Sequence, residues 1–252
     1  MITEPEYIEG NGFITEVIRT NRIKSATIKV EDGIVSVVVP KQTTGDRIDR
    51  LLSDKQGWIK DKIRHDRAAL PATQKSYVSG EAFSYLGRNY RLKINHGSYV
   101  PVKLIHGQLV TTMPEGFNHY MVRNTLVRWY KYHAEIKFKE KVKRYSEIIG
   151  VEPAGVAIKT FKARWGSCSV EGKIEFNWKV IMAPNRVMDY VVVHELSHLK
   201  QHDHSPLFWK EVERVLPDYS ECKEWLKVNS LKLELCFTRG ITYVASPTGR
   251  RD

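Results

Sequence analysis

The sequence predicts an α+β protein: a β-rich N-terminal part, then a helical core that carries a small sheet. Three observations carry that expectation. Up to residue 115, short runs of β-branched and aromatic residues alternate with glycine-containing turns. Between residues 121 and 149, apolar residues recur every three or four positions without a break. Beyond residue 184, amphipathic stretches follow one another, divided by proline and polar clusters. The expected division is a β-rich domain with one helix over 1–115 and a second domain over 116–252, opened by the long helix.

Composition narrows the class. With 42% hydrophobic and 27% charged residues, the 252-residue chain reads as soluble and globular. It has no apolar run of eighteen residues and so no membrane span. The opening Met1-Ile2-Thr3-Glu4-Pro5-Glu6 lacks the apolar segment of a secretory signal. Cys168, Cys222 and Cys236 form no C-x-x-C pair, which suggests reduced thiols and a cytoplasmic protein. Cys222 and Cys236 read as small core residues. The net charge of +11 suits acidic partners such as nucleic acid, nucleotides or acidic peptides, although a solubilising surface also accounts for it.

In chain order, Thr27 to Val30 and Ile34 to Val39 flank Glu31-Asp32-Gly33 and predict a hairpin. One helix is expected over 44–69, burying Ile48, Leu52, Ile59 and Ile63 with Trp58 beside them. Strands are expected at Phe83 to Leu86, Tyr90 to Ile94, Tyr99 to Leu104 and Leu109 to Thr112, separated by Gly87, Gly97 and Gly107. The long helix, Met121 to Ile149, buries Val127, Tyr130, Ala134, Phe138, Val142, Tyr145 and Ile149 and ends at Gly150. Eight Lys or Arg against three Glu between Phe117 and Ile149 give it a basic surface that could face phosphates or simply water. Val156 to Phe161 and Lys173 to Trp178 read as strands around a loop, 162–169. That loop contains Arg164, Trp165, Gly166 and Cys168. It could line a pocket, or place Trp165 in the core. Asn185 is the expected N-cap of the next helix, and two further helices run from Leu207 and Tyr219.

Within that next helix stands His194-Glu195-Leu196-Ser197-His198, the pattern H-E-x-x-H. Residues i and i+4 lie one turn apart on one face, so both imidazoles can reach one ion. Glu195, about 100° round from His194, can take a proton from a metal-bound water without binding the metal. Met188, Val192, Leu196 and Leu199 supply a separate core face. A catalytic zinc needs a third ligand and an open position. His202 continues the helical series, but three histidines in a straight row spread over about 12 Å, too far to share an ion. Ser205-Pro206 signals a new helix start, so the chain should turn between Lys200 and Asp203 and bring His204 to the metal. The spacing resembles the metzincins, with Gln201 in the place of their glycine.

Four stretches together resemble the YgjP-like zinc metallopeptidases, which are similar to the SprT-like zincins. They are Ala163-Arg164-Trp165-Gly166-Ser167-Cys168-Ser169, Phe176-Asn177-Trp178, Asp189 through Leu199, and His204-Ser205-Pro206-Leu207-Phe208-Trp209. The resemblance is best over about 150–230. It implies one zinc ion on His194, His198 and His204, Glu195 as general base, and a zincin-like core with a strand edge beside the active helix. Arg164, Asn177 and Tyr190 are candidates to stabilise the oxyanion. A peptide could pair with the strand Lys173 to Trp178. Two alternatives stand beside this reading. One is zinc-dependent hydrolysis of a nucleotide phosphoanhydride, motivated by the charge but lacking a phosphate-cradling loop. The other is a nucleic-acid-binding module whose metal is structural, with Cys168 closing the site.

Overall fold

The computed structural model describes residues 6–10, 12–21, 25–31, 33–69, 75–161 and 164–237. It is α+β, with a β-rich N-terminal part and a helical core. The first sheet holds β1 (Glu6–Gly10), β2 (Phe13–Thr20), β3 (Thr27–Glu31) and β4 (Ile34–Pro40) in the order β1-β2-β4-β3. Its central pair, β2 and β4, is parallel, and both outer pairs are antiparallel. The second sheet holds β5 (Ala82–Tyr85), β6 (Arg88–His96), β7 (Val100–Ile105) and β8 (Gln108–Met113). Its order, β5-β6-β8-β7, repeats the same pattern of one parallel and two antiparallel pairs.

Two differences from the sequence reading lie in the first sheet and its helices. The strands β1 and β2 were not foreseen, although Asn11-Gly12 between them is a strong hairpin signal. The single helix expected over 44–69 is two, α1 (Gly45–Asp54) and α2 (Gln56–Ala69), broken at Lys55. Gly57 in the first turn of α2 weakens helical continuity there. Ile48, Leu52 and Ile59 still pack together, against Val17, Val35, Val37 and Val39, as a small separate core. Trp58, by contrast, is 44% exposed.

The second sheet joins a larger core with α3 (His119–Ile149). That core draws residues from both sides of residue 115. The side chain of Asn118 accepts a hydrogen bond from the Met121 amide at 3.1 Å, and Gly150 closes the helix in the left-handed region. The foreseen apolar series of α3, from Val127 to Ile149, is buried. Its basic surface is largely consumed. Arg123 and Arg128 are buried, and Lys137, Lys139 and Lys141 pair with Glu140, Glu135 and Asp189.

A third sheet sits beside α3 in the order β10-β11-β9, formed by β9 (Gly155–Lys159), β10 (Gly166–Cys168) and β11 (Lys173–Asn177). The expected loop therefore contains a short edge strand; Lys162 and Ala163 fall outside the described residues. A 3-10 turn, Trp178–Met182, leads into α4 (Asn185–Ser197). Pro184, not Asn185, occupies the N-cap position of α4, and no side chain caps it. Then follow α5 (Pro206–Val215) and α6 (Tyr219–Leu235), the latter running beyond Val228, where the sequence pattern ends it. No described helix is long and apolar enough to cross a membrane.

Candidate metal centre and active site

The helix α4 is locked before it presents any chemistry. Met188, Val192 and Leu196 are fully buried on its core face, as the 3–4 spacing predicts. Lys141 of α3 donates to Asp189 at 2.5 Å in a buried ion pair, and Arg186 pairs with Asp218 ahead of α6. The helical pattern stops at Ser197, earlier than the Lys200 to Asp203 expected. Its last turn tightens, with Leu199 and Lys200 amides bonding to carbonyls three residues back. The chain then reverses to Ser205 and Pro206 at the start of α5.

That reversal brings His204 against the motif. The ring centres of His194, His198 and His204 lie 4.8–5.0 Å apart. Their ligating nitrogens all fall within 4.8 Å of one another, the one such cluster among the described residues. His202 and Cys168 do not belong to it. Nε2 of His204 stands 3.1 Å from Nε2 of His194. Two nitrogens sharing one tetrahedral zinc at roughly 2.0–2.1 Å stand about 3.3 Å apart, so this pair suits a common ion.

The supporting groups fit a metal as well. Nδ1 of His198 lies 3.1 Å from the Gln201 carbonyl, a bond that leaves Nε2 free as a ligand. Gln201, the residue in place of the metzincin glycine, thus holds the His198 ring through its backbone. Nδ1 of His194 is buried without a protein partner. Burial and the neighbouring imidazoles bring the pKa of His194 down to about 3, so it stays neutral, as a ligand must. His198 is shifted down for the same leading reason, burial. Phe208 and Trp209 of α5 wall the trio, with Trp209 stacked on His204 at 5.7 Å between ring centres.

Glu195 is 6% exposed, and burial pushes its carboxyl up to about 8 against a smaller opposing pull from Arg164. Its seat depends on Gly166 in β10. A Cβ at residue 166 would stand 2.5 Å from Oε1 and 2.7 Å from Cδ of Glu195. A side chain at 166 would therefore push the Glu195 carboxylate out of its seat. The sequence leaves the Arg-Trp-Gly stretch open between lining a pocket and placing Trp165 in the core; the structure puts it along the pocket, and the use of Gly166 as a slot for Glu195 is visible only there.

The other candidates divide. Arg164 and Tyr190 line a pocket of about 360 Å³ together with Trp165, Gly166, His194 and Glu195. Tyr190 is one turn ahead of His194 with its ring 5.8 Å away, and burial raises its hydroxyl to about 12, so it remains a donor. Asn177 is not part of this lining. Its amide donates to the Phe161 and Arg164 carbonyls, and its oxygen accepts from the Lys179 amide. It fastens the loop that presents Arg164 and has no free group for an oxyanion. Lys223 and Lys227 of α6, which the sequence reading did not single out, also line the pocket.

The strand assignment needs correction too. The expected peptide-pairing strand, Lys173 to Trp178, is β11, whose two sides are taken by β9 and β10. The edge beside α4 is β10.

Residues 24–229 match the family described as YgjP-like, metallopeptidase domain. No curated protein matches the chain. The crystal structure of the metallopeptidase zymogen of Pyrococcus abyssi abylysin is similar at 28% identity and a TM-score of 0.34, over 42% of this chain and 99% of that one. The corresponding zymogen of Methanocaldococcus jannaschii jannalysin is similar at 22% identity and 0.34, over 37% and 96%. Since the family match spans most of the 252 residues, the chain belongs to the YgjP-like metallopeptidases and is a metal-dependent peptidase acting on peptides or proteins.

Proposed function

We propose that the protein is a zinc peptidase in which Glu195 is the general base. His194, His198 and His204 would hold one zinc ion. When bound, zinc supplies Lewis acidity to the scissile carbonyl and acidifies water. The remaining work falls to the chain. Glu195 takes the proton of the attacking water and delivers it to the leaving amine. Arg164 opposes the burial that would keep this carboxyl protonated. Tyr190, which lines the pocket and stays protonated throughout the neutral range, is the first candidate to donate to the oxyanion, with Arg164 as the second. The outer edge of β10 can pair with an extended peptide through main-chain hydrogen bonds. The observation that carries the proposal is the trio of histidines with Glu195 seated on Gly166 next to an open pocket. Three free cysteines support the cytoplasmic location expected from the sequence.

A specific observation favours a second reading. Hydrolysis of a nucleotide phosphoanhydride requires basic pocket residues, and Arg164, Lys223 and Lys227 meet that requirement. One experiment separates the two. Zinc-loaded protein is assayed against a peptide library and the nucleoside triphosphates, with Glu195→Gln as control. We expect Glu195-dependent peptide cleavage, with Glu195→Gln retaining zinc and losing at least a hundredfold in turnover. Nucleotide hydrolysis with no peptide cleavage would reverse the choice.

A further inference from the structure

The pocket beside Glu195 has a chemical bias that metal-dependent peptide hydrolysis does not require. It lies between β10, α4 and α6. On α6, Lys223, Leu226, Lys227 and Ser230 are spaced i, i+3, i+4 and i+7, so a single helical face points into it. Tyr190, Val191 and Leu226 are buried and form an apolar base. Around that base stand Arg164, Lys223 and Lys227, while the one carboxylate of the lining is Glu195.

Two of these cations have no ion-pair partner among the described residues. Arg164 stacks over the Phe161 ring at 4.8 Å, and the ammonium of Lys223 sits 4.2 Å above the Trp209 ring. These aromatic contacts hold the charges in place without neutralising them. Lys227 pairs with Glu224 at 3.4 Å on the outer surface.

We propose that this pocket is a carboxylate subsite, which selects peptides with a carboxylate on the residue that enters beside the scissile bond. The proposal rests on the zinc–Glu195 reading above. A lysine or arginine side chain would meet two unpaired cations there, Arg164 and Lys223, and a neutral side chain would gain nothing from them. A carboxylate with a short apolar stem satisfies both the rim and the base. The pocket, at about 360 Å³, is near the lower bound for small-molecule sites and suits one side chain or one chain terminus. The carboxylate has two possible sources, an Asp or Glu side chain or the free C-terminus of the substrate.

The test compares matched peptides on zinc-loaded protein. One pair differs by Glu against Gln at each position flanking the cleaved bond, and a second pair by C-terminal acid against amide. The three cations are exposed and partly screened, so each contributes modestly. We expect kcat/KM to favour the carboxylate by roughly tenfold in one pair, which identifies the source, and the preference to shrink at about 0.5 M salt. Lys223→Glu should invert the preference toward a basic residue, and Arg164→Met should reduce it. Chelator-sensitive cleavage with ratios near one in both pairs, or with a wild-type preference for Lys or Leu, would overturn this inference alone. Loss of the preference on raising salt but not in either variant would assign it to general surface charge and overturn it too. Absence of any chelator-sensitive peptide cleavage would overturn the function proposed above and this inference with it.

Discussion

The two N-terminal sheets share one strand order and one set of strand directions, yet they meet the rest of the protein differently. Each is built of two hairpins whose turns end in a glycine with positive φ: Gly12 and Gly33 in the first, Gly87 and Gly107 in the second. In the second sheet the first turn is structural. Leu86 and Gly87 donate to the Ile181 and Met182 carbonyls, just before α4, and a Cβ on Gly87 would come 2.8 Å from the Pro184 backbone. The equivalent turn of the first sheet is open at Gly12. There the second turn makes the contact instead. Gly33 faces Tyr120 of α3, and its carbonyl accepts from Asn124 at 2.8 Å. One topology is thus used in two ways. The first sheet builds its own core with α1 and α2, and reaches the larger core around α3 through Ile14 and Ile34 and through polar groups. The second sheet shares its core with the metal helix and braces the entry to it.

Core truncations probe this contrast with the largest effect. Leu52 and Leu109 are 3% and 0% exposed, so alanine at either should cost about 2–5 kcal/mol. Leu109→Ala should lower the unfolding transition that also releases the metal. Leu52→Ala should lower a transition that leaves metal bound. A domain boundary at residue 115 puts both leucines in one unit, whereas the two cores separate them. A shared shift, seen by calorimetry and zinc release together, would erase the distinction.

The glycine turns give the next effect. Both Gly87 and Gly12 have φ near +80°. Alanine at Gly12 should cost about 1 kcal/mol from backbone strain alone. At Gly87 the collision with Pro184 adds to that strain, for roughly 3 kcal/mol and a measurable loss of peptidase activity. Equal costs in denaturant titrations would show that the second sheet does not brace α4.

The sequence displayed the site better than it displayed this pairing of sheets. H-E-x-x-H on a helix, the helix start at Ser205-Pro206 and the apolar stripe of α4 are local signals; the structure has the helix, the start and the buried stripe from Met188 to Leu196, with α4 ending earlier than expected, at Ser197. Position 204 followed from the reach of a metal–nitrogen bond and the signal for a new helix. The role of Asn177 was not legible, because its partners at residues 161 and 164 are non-local carbonyls. Lys223 and Lys227 were missed because α6 meets the site only in three dimensions. The repeat of strand order escaped notice because it is conserved in hydrogen-bond pairing, not in residue type.

A smaller effect appears with pH. The buried carboxyl of Glu195 titrates near 8 in the folded, metal-free protein, above its ordinary 4.5. The folded state therefore holds a proton that the unfolded state releases. This contribution is complete below pH 4.5 and is lost as pH rises through 8. His194, depressed to about 3, destabilises instead as pH falls below its ordinary 6.5. Between pH 6.5 and 8.5 the carboxyl is the largest contribution, opposed near pH 6.5 by the last of the titration of His194 and His198. There the metal-free transition of the larger core should lose roughly 1 kcal/mol, while that of the first sheet stays level. Glu195→Gln should remove the slope.

Zinc-edge X-ray absorption on the metal-loaded protein tests the central claim most directly, since it reads the ligand set itself. We expect one zinc per chain, three imidazoles and one further light atom at about 2.0–2.1 Å. His204→Ala should remove one imidazole from the spectrum, and His202→Ala should leave it unchanged. A sulfur scatterer at about 2.3 Å, or a spectrum indifferent to His204→Ala, would contradict an open three-histidine centre and point to a closed structural one.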